Sequence, residues 1–172
     1  CYYLLTLHVI TKLENPLSDS YYALKELVGT EIFPWFRLKG NHHSPDYFSH
    51  KLLTRPGGGE EHLFPTIASE YLKSFADLLY SVFDLNAIEV KCIYRMSVNL
   101  VMPSTDSHSP LHVDHSFPHR NIIMYLTDAG GDTVVNDEVY SPKEDDVIMF
   151  EGEHYHHFPM KDARIVFVAT YL

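Results

Sequence analysis

The second half of the chain is divided into short extended segments, and this pattern restricts the possible folds more than any other feature. After Asn86, runs of apolar and β-branched residues alternate with glycine, proline, aspartate and asparagine. Such runs between turn-forming residues are typical of antiparallel strands. The runs are IEVKCIYRMSVNLVM, PLHVD, RNIIMYLTD, GDTVV, DEVYS, DDVIMF and ARIVFVATYL. We therefore predict a mainly β, α+β protein in which residues 87–172 form an antiparallel sandwich or jelly roll.

The first half of the chain, residues 1–86, is predicted to support this core with helices. Ser18 or Asp19 is a suitable N-cap for a short helix that Gly29 would end. Apolar residues also recur at helical spacing over residues 66–83, which predicts an amphipathic helix.

The remaining N-terminal segments are predicted to be extended or irregular. Residues 2–10 have the composition of a strand, and EIFPWFRL indicates extended structure. Residues 41–61 are rich in glycine, proline, histidine and charge, which predicts a loop or lid. At 172 residues the chain is long enough to bury one core, so we predict a single domain, 1–172.

Composition excludes some classes of partner. The formal charge is −10 and the 13 basic residues are scattered, which argues against a nucleic acid partner. The apolar segment CYYLLTLHVI is too short to span a membrane. Cys1 and Cys92 form neither a disulfide framework nor a zinc-type spacing. We therefore expect no membrane association and a reducing, cytoplasmic setting.

Histidine is unusually frequent, with twelve residues, and several of these lie close together. The segment PLHVDHSFPHR holds His112, Asp114, His115 and His119 immediately before an apolar strand. Histidine and aspartate are poor choices for a strand on structural grounds alone. On a strand, His112 and Asp114 would project from the same face. A His-x-Asp pair of this kind predicts a metal site if a third ligand comes from a distant strand.

The candidates for that third ligand lie in the segment EGEHYHHFP. On an extended strand His154 and His156 share a face, whereas His157 points the other way. His156 shares its face with Phe158, which has the character of a core residue. His154 follows the turn at Gly152 more closely and is expected at the rim. We therefore favour His156, and His154 and His157 stay open as alternatives.

Arg164 begins the strongly apolar terminal segment, where an unpaired cation would be costly. One interpretation is that it meets a surface carboxylate such as Asp162. The other is that it binds an acidic ligand, because the guanidinium fork matches a carboxylate. Two histidines and one carboxylate with open coordination positions are typical of non-haem Fe(II) sites that activate oxygen.

The order of these motifs resembles that of a known enzyme superfamily. From about residue 93 to 172 the matching elements are HVD, IIMYLTD, GGDTVV, YSPKEDDVIMF, HHFP and ARIVFV. The sequence resembles the Fe(II)/2-oxoglutarate-dependent oxygenases, in particular the prolyl-4-hydroxylase-like branch and short relatives from marine phages and bacteria. Asp145 and Asp146 depart from this pattern where glycine is common. The gap from His156 to Arg164 is also a little short for the superfamily.

The resemblance implies a double-stranded β-helix, the cupin-like jelly roll, with N-terminal supporting helices. It also implies a dioxygenase that uses Fe(II), 2-oxoglutarate and molecular oxygen to hydroxylate a C–H bond, with release of succinate and CO2. His112, Asp114 and His156 would be the metal ligands and catalytic residues. The substrate would be a small molecule or a peptide.

The resemblance further implies which residues bind 2-oxoglutarate. Arg164 and Tyr125 would hold its distal carboxylate, and Asn99 could reach it from a neighbouring strand. His115 and His119 are expected around the site and not as ligands.

Two other classes of function remain open from the sequence. One is a cupin-like metalloenzyme that does not use 2-oxoglutarate, such as an isomerase or another non-haem iron enzyme, and the other is a silent binding protein. Arg164 and Tyr125 argue against the first class, whereas the fold alone does not exclude the second. The expected entrance segments, residues 41–61 and 103–109, carry no recognisable specificity motif, so a peptidyl proline, a free amino acid and another metabolite are all possible substrates.

Overall fold

A computed structural model of the chain describes residues 9–40, 45–55 and 64–172. Within these residues the protein has two helices and eleven strands. The helices are α1 (Asp19–Val28) and α2 (Leu72–Leu85). The strands are β1 (Ile10–Leu13), β2 (Phe36–Leu38), β3 (Tyr47–Thr54), β4 (Thr66–Ile67), β5 (Ile93–Val101), β6 (Arg120–Tyr125), β7 (Thr133–Val135), β8 (Glu138–Tyr140), β9 (Val147–Phe150), β10 (His154–His156) and β11 (Arg164–Tyr171).

The strands form a large and a small sheet, and all of their pairings are antiparallel. The large sheet has the order β1-β9-β6-β11-β5-β3-β2, and β4 pairs with β3. The small sheet has the order β10-β7-β8. Isolated bridges join His108 to His157 and His112 to His154, which ties the segment before β6 to β10. The predicted mainly β jelly roll is confirmed. The strand predicted over residues 2–10 lies almost wholly outside the described residues, which include only its last part.

The first helix has the predicted ends. The Ser18 hydroxyl accepts a hydrogen bond from the backbone N–H of Tyr21, as an N-cap should. At the other end the backbone N–H of Gly29 donates to the carbonyl of Glu26. Neither helix has the length and apolar character that a membrane span requires.

The second helix starts later than its apolar periodicity predicts. Residues 66 and 67 pair with β3 as the short strand β4, and the helix begins only at Leu72. The hydroxyl of Ser69 accepts a hydrogen bond from the backbone N–H of Tyr71 and so precedes the first turn. Side-chain spacing predicted the buried face of the helix but not its start, because backbone pairing with β3 decides the conformation there.

The prediction of a continuous loop over residues 41–61 is wrong for its middle part. Tyr47–Thr54 is strand β3, which lies between β2 and β5 in the large sheet. The polar residue His50 is buried in this strand, where its ring bonds to the carbonyl of Pro34 and the hydroxyl of Ser69. Composition suggested a loop, but these distant partners stabilise a strand. Residues 41–44 and 56–61 lie outside the described residues.

The central strands bury both faces of the large sheet, so adjacent residues belong to different cores. One core packs against the two helices and the other faces the small sheet. For example, Met124 and Phe167 belong to the helix-side core. Their neighbours in sequence, Tyr125 and Val166, belong to the inner core. The inner core also includes Val135 of the small sheet. A cavity lies against this inner face.

Candidate functional site

A cavity of about 400 Å³ lies between the inner face of the large sheet and the small sheet. Its volume is within the usual range for small-molecule sites. Every site residue that the sequence suggested lines this cavity, and so does one of the alternative histidines. These residues are Asn99, His112, Asp114, Tyr125, His154, His156 and Arg164.

Three potential metal ligands meet at one end of the cavity. One donor atom from each of His112, Asp114 and His154 lies within 4.8 Å of the other two. Mutual backbone hydrogen bonds of 3.0 Å between His112 and His154 place their rings side by side, with centroids 4.4 Å apart. His154 Nε2 is 3.6 Å from Asp114 Oδ2. His112 is exposed, Asp114 half-buried and His154 buried, so the cluster is open on one side.

Backbone carbonyls orient both imidazole rings. His112 Nδ1 is 2.9 Å from the carbonyl of Pro110, and His154 Nδ1 is 3.1 Å from that of Gly152. A carbonyl only accepts, so each Nδ1 must donate, which leaves each Nε2 lone pair available to a metal. Burial lowers the pKa of His154, and His112 lowers it further. A neutral ring is the form that binds a metal.

Two arginines that the sequence analysis did not identify hold Asp114. Arg95 Nη1 donates to Asp114 Oδ1 at 2.5 Å, and Arg55 donates to the Asp114 carbonyl at 2.8 Å. Burial alone would raise the pKa of Asp114. The positive charge of Arg95, followed by the effects of His154 and Arg55, outweighs burial, so the pKa of Asp114 is lowered overall. The carboxylate is therefore ionised, with Oδ2 turned towards His154. An arginine within the apolar segment IYRMSVNLV was the available signal for this role.

The third member of the cluster is His154, whereas the sequence favoured His156. His154 was expected at the rim, but it is buried, with only 2% of its surface exposed. Its bridge to His112 explains the difference, because the residue paired with His112 lies directly beside it. His156 is two residues further along and opposite Thr133. The predicted face was therefore right, and the position along the strand differs by two residues. His157 lies outside the cluster.

His156 belongs instead to a chain of buried hydrogen bonds beside the cluster. The hydroxyl of Thr133 lies 2.9 Å from His156 Nδ1 and 2.6 Å from the Tyr125 hydroxyl. Burial, followed by the charge of Arg164, lowers the pKa of His156 well below its usual value. Burial also raises the pKa of Tyr125 to about 12. Both groups are therefore neutral near pH 7 and can exchange hydrogen bonds with a ligand.

Arg164 is a buried cation without a carboxylate partner among the described residues. Its Nη1 donates to the carbonyls of Gly131 and His157 at 2.8 and 3.0 Å, and its side chain lines the cavity. Its Nε is buried and has no hydrogen-bond partner. No ion pair with Asp162 forms, so the surface-carboxylate interpretation is wrong. A buried arginine that lines the cavity and has no carboxylate partner among the described residues fits an acidic ligand that enters the cavity.

Two asparagines complete the polar lining. Asn99 Oδ1 accepts a hydrogen bond from the Ser49 hydroxyl at 2.8 Å. Asn121 is buried on β6, and both of its side-chain polar atoms lack partners. Sequence analysis missed Asn121, although a polar residue next to the apolar run IIMYL was a signal. His115 binds the hydroxyl of Thr170 and does not join the cluster, and neither does His119.

Comparison with known proteins found similarity at the level of structure alone. No protein-family model and no curated protein matches the sequence. A 2OG-Fe(II) oxygenase family oxidoreductase from Burkholderia pseudomallei superposes with a TM-score of 0.73 and 16% identity, over 95% of this chain and 84% of its own. The α-ketoglutarate-dependent epimerase SnoN of nogalamycin biosynthesis gives a TM-score of 0.62 and 12% identity, over 95% and 78%.

A third similar structure is a viral prolyl hydroxylase. The collagen prolyl hydroxylase of Paramecium Bursaria Chlorella virus-1, in its 2OG complex, gives a TM-score of 0.57 and 12% identity, over 95% of both chains. The fold predicted from the resemblance is thereby confirmed over nearly the whole chain. This chain therefore has the double-stranded β-helix fold of the 2OG-Fe(II) oxygenases, including the prolyl hydroxylases.

Proposed function

We propose that the protein is an Fe(II)- and 2-oxoglutarate-dependent dioxygenase that hydroxylates a C–H bond of a small molecule or peptide and releases succinate and CO2. The observation that carries this proposal is a combination within one cavity. A cluster of two histidines and one aspartate opens into the same space as the buried, incompletely paired Arg164. The fold shared with structures of this enzyme class supports it.

The metal ligands that we propose are His112, Asp114 and His154. Two neutral imidazoles and one carboxylate are the donor set preferred by non-haem Fe(II), and they leave coordination positions free for other ligands. Bound there, Fe(II) would supply the activation of molecular oxygen coupled to decarboxylation of 2-oxoglutarate. Arg95 and Arg55 keep Asp114 ionised and fix its orientation. With His156 as the ligand, the gap to Arg164 was a little short for the superfamily. With His154 as the ligand, this gap is two residues longer, so that departure is removed.

We propose that Arg164 and Tyr125 bind the distal carboxylate of 2-oxoglutarate. Arg164 supplies positive charge at the cavity wall, while Tyr125 supplies a neutral hydroxyl from the neighbouring strand. Asn99 lines the same cavity from β5, on the opposite side of β11 from Tyr125. Both residues pair with Val166 of β11. His156 reaches Tyr125 through Thr133 and would hold these hydroxyls in place. This environment excludes water from the carboxylate and so strengthens each charge-assisted bond.

A cupin-like metalloprotein that does not use 2-oxoglutarate is the main alternative. Such a protein would have no use for a buried arginine that faces the cavity. A cytoplasmic location also remains a proposal, in keeping with the free thiol of Cys92 and an iron that must stay reduced.

The test is formation of succinate from 2-oxoglutarate by the purified protein supplied with Fe(II) and oxygen. We expect succinate release that requires both the metal and oxygen, that increases with a substrate, and that disappears in Asp114→Ala. A protein that binds Fe(II) tightly but never forms succinate, with any substrate offered, would support the cupin-like alternative.

A further inference from the structure

A second cavity of about 330 Å³ adjoins the proposed active site, and the two share Tyr47 and Arg95 in their linings. Lys51 and Arg55 also line this second cavity, whereas no aspartate or glutamate among the described residues does. Three cations in one depression contrast with the net charge of −10 of the whole chain. The local charge is therefore a specific feature of this surface.

The strands explain why these cations come together. β3 and β5 are neighbours in the large sheet, and Lys51 lies opposite Ser97. Arg95 is two residues from Ser97 and so projects from the same face of β5. Arg55 directly follows β3, where it approaches the same region. The backbone register alone thus places three positive side chains around one opening.

The nearest carboxylate cannot neutralise this group. Asp114 carries a single negative charge, and its Oδ1 lies 2.5 Å from Arg95 and 3.4 Å from Arg55. Lys51 has no ion-pair partner among the described residues. The two guanidinium groups share this one carboxylate, so positive charge is left over even before Lys51 is considered.

The cofactors of the proposed function would leave this positive charge unbalanced. A divalent iron and Arg164 together carry as much positive charge as Asp114 and the dicarboxylate 2-oxoglutarate carry negative charge. The charges of Lys51, Arg55 and Arg95 are additional to that balance. A substrate that enters beside the metal therefore meets an excess of positive charge, and an acidic group on it would relieve the repulsion.

We propose that the substrate is a small molecule with a carboxylate or phosphate group, which Arg55, Arg95 and Lys51 bind in the second cavity. The inference rests on the proposed function, since it assigns the substrate class of that same site. Arginine presents paired N–H donors that match these groups in a bidentate manner, and Lys51 adds a mobile point charge. The bound group would hold the rest of the molecule in the first cavity, next to the metal cluster. A neutral prolyl peptide offers these cations only carbonyl acceptors and no negative charge.

The experiment measures binding to the protein loaded anaerobically with Fe(II) and saturating 2-oxoglutarate. Calorimetric titrations would use N-acetyl-L-amino acids, aliphatic monocarboxylates and N-acetyl-O-phospho-L-serine amide, each beside its neutral amide or its unphosphorylated partner. A neutral N-acetylated prolyl peptide amide completes the set. We expect at least one acid to bind more than about tenfold more tightly than its neutral partner. Comparison of the carboxylate probes with the phosphate probe shows which of the two acidic groups the second cavity binds.

Variants test whether these residues cause the preference. Arg55→Gln and Lys51→Gln should each reduce the ratio of acid to neutral affinity, by about tenfold for the arginine and less for the lysine, which lacks the paired donors of a guanidinium group. Lys73→Gln removes the same charge from the surface of α2, where Lys73 pairs with Asp77. This control should leave the ratio unchanged.

The outcomes separate this inference from the proposed function. Neutral partners that bind as tightly as the acids, or the absence of binding by every acid, would overturn the inference. Arg55→Gln variants that lose 2-oxoglutarate affinity instead of acid preference would also overturn it. Acids that bind as expected without any succinate release would support the anion site and refute the oxygenase proposal. Succinate release stimulated only by the neutral peptide would support the oxygenase proposal and overturn the inference of an anion site.

Discussion

Arg164 is enclosed almost completely by protein, yet only two backbone carbonyls accept from it. Only 5% of its surface is exposed, and burial lowers the pKa of its guanidinium group. A buried cation is stable only where its donors are satisfied. At the scale of single residues, this incompletely paired arginine is the feature that supports the proposed binding of an acidic cosubstrate.

Replacement of Arg164 should therefore separate cosubstrate binding from metal binding. Loss of one partner of a buried charge-assisted pair costs about 2–5 kcal/mol, or roughly 30- to several-thousand-fold in affinity. We expect Arg164→Ala to weaken 2-oxoglutarate binding by such a factor, measured by titration of the Fe(II)-loaded protein. Arg164→Lys should recover part of the loss, since it keeps the charge but not the fork. Equal losses of metal and 2-oxoglutarate affinity would instead mean that Arg164 supports the fold.

The two histidines of β10 should behave differently when each is removed. His154→Ala should lower Fe(II) affinity by at least about 100-fold. Loss of a group that only hydrogen-bonds to a metal ligand already costs about 10- to 100-fold, and loss of the ligand itself should cost more. His156→Ala should change Fe(II) affinity by less than about tenfold and should weaken 2-oxoglutarate binding, because it supports Thr133 and Tyr125. Anaerobic Fe(II) titrations measure the first effect. The reverse ranking would restore His156 as the third ligand.

Sequence reasoning identified the types of residue in the site better than their positions. Strand parity predicted that His154 and His156 share a face, and both line the cavity. It could not tell which of them pairs with His112, because that depends on a bridge between distant segments. The roles of Arg95 and Arg55 were missed for the same reason, since their partner Asp114 lies far from both in sequence.

Among the structural elements, the turn before β7 packs directly against the side chain of Arg164. Gly130 and Gly131 both have positive φ, at 69° and 87°, a conformation that favours glycine. A Cβ on Gly131 would lie 2.5 Å from the carbonyl oxygen of His157 and 2.6 Å from Arg164 Nη1. A Cβ on Gly130 would meet nothing within 4 Å. The two glycines therefore share a backbone requirement, but only Gly131 permits close packing against the arginine.

This difference provides a matched pair of variants. Gly130→Ala should cost about 1–2 kcal/mol of stability from its backbone conformation and leave 2-oxoglutarate affinity unchanged. Gly131→Ala should have the same backbone cost and, in addition, displace Arg164 and weaken 2-oxoglutarate binding. Chemical denaturation and cosubstrate titration measure the two effects separately. If both variants bind 2-oxoglutarate as well as the wild type does, the turn does not position Arg164.

The elements themselves were largely predictable where local signals determine them. The first helix begins and ends as its capping residues predict, and six of the seven extended runs after Asn86 contain strands. The run PLHVD forms no strand and makes only the isolated bridge from His112 to His154. The other failures were β3 and the start of α2. In both cases long-range backbone pairing, and not local composition, decided the structure, as the bonds between β3 and β5 show.

At the scale of the whole molecule, the large sheet separates a structural core from a functional one. The helices pack on one face, where Phe75 of α2 contacts Phe167 of β11 with ring centroids 5.1 Å apart. The opposite face carries Tyr125 and Val166 towards the cavity. The helix-side core thus holds the sheet in shape mainly from the face away from the cavity, although its members Ile122 and Ala169 also line the cavity.

Loss of packing on the helix side should destabilise the whole domain. Phe75 is 1% exposed, so Phe75→Ala should lower the free energy of unfolding by about 3–5 kcal/mol. Leu85→Ala, at a residue 48% exposed near the end of the same helix, should change it by about 0.5 kcal/mol or less. Urea denaturation measures both values. Similar small effects in the two variants would mean that α2 does not stabilise the sheet.

The most direct test of the whole account is the visible absorption of the anaerobic protein with Fe(II) and 2-oxoglutarate. Chelation of Fe(II) by the keto-acid end of 2-oxoglutarate produces a weak charge-transfer band, and this requires free coordination positions beside the three protein ligands. We predict that the wild-type protein develops this band under saturating 2-oxoglutarate and that Asp114→Ala does not. A wild-type protein that binds Fe(II) but shows no band at any 2-oxoglutarate concentration would contradict the assignment of the site to a 2-oxoglutarate-dependent oxygenase.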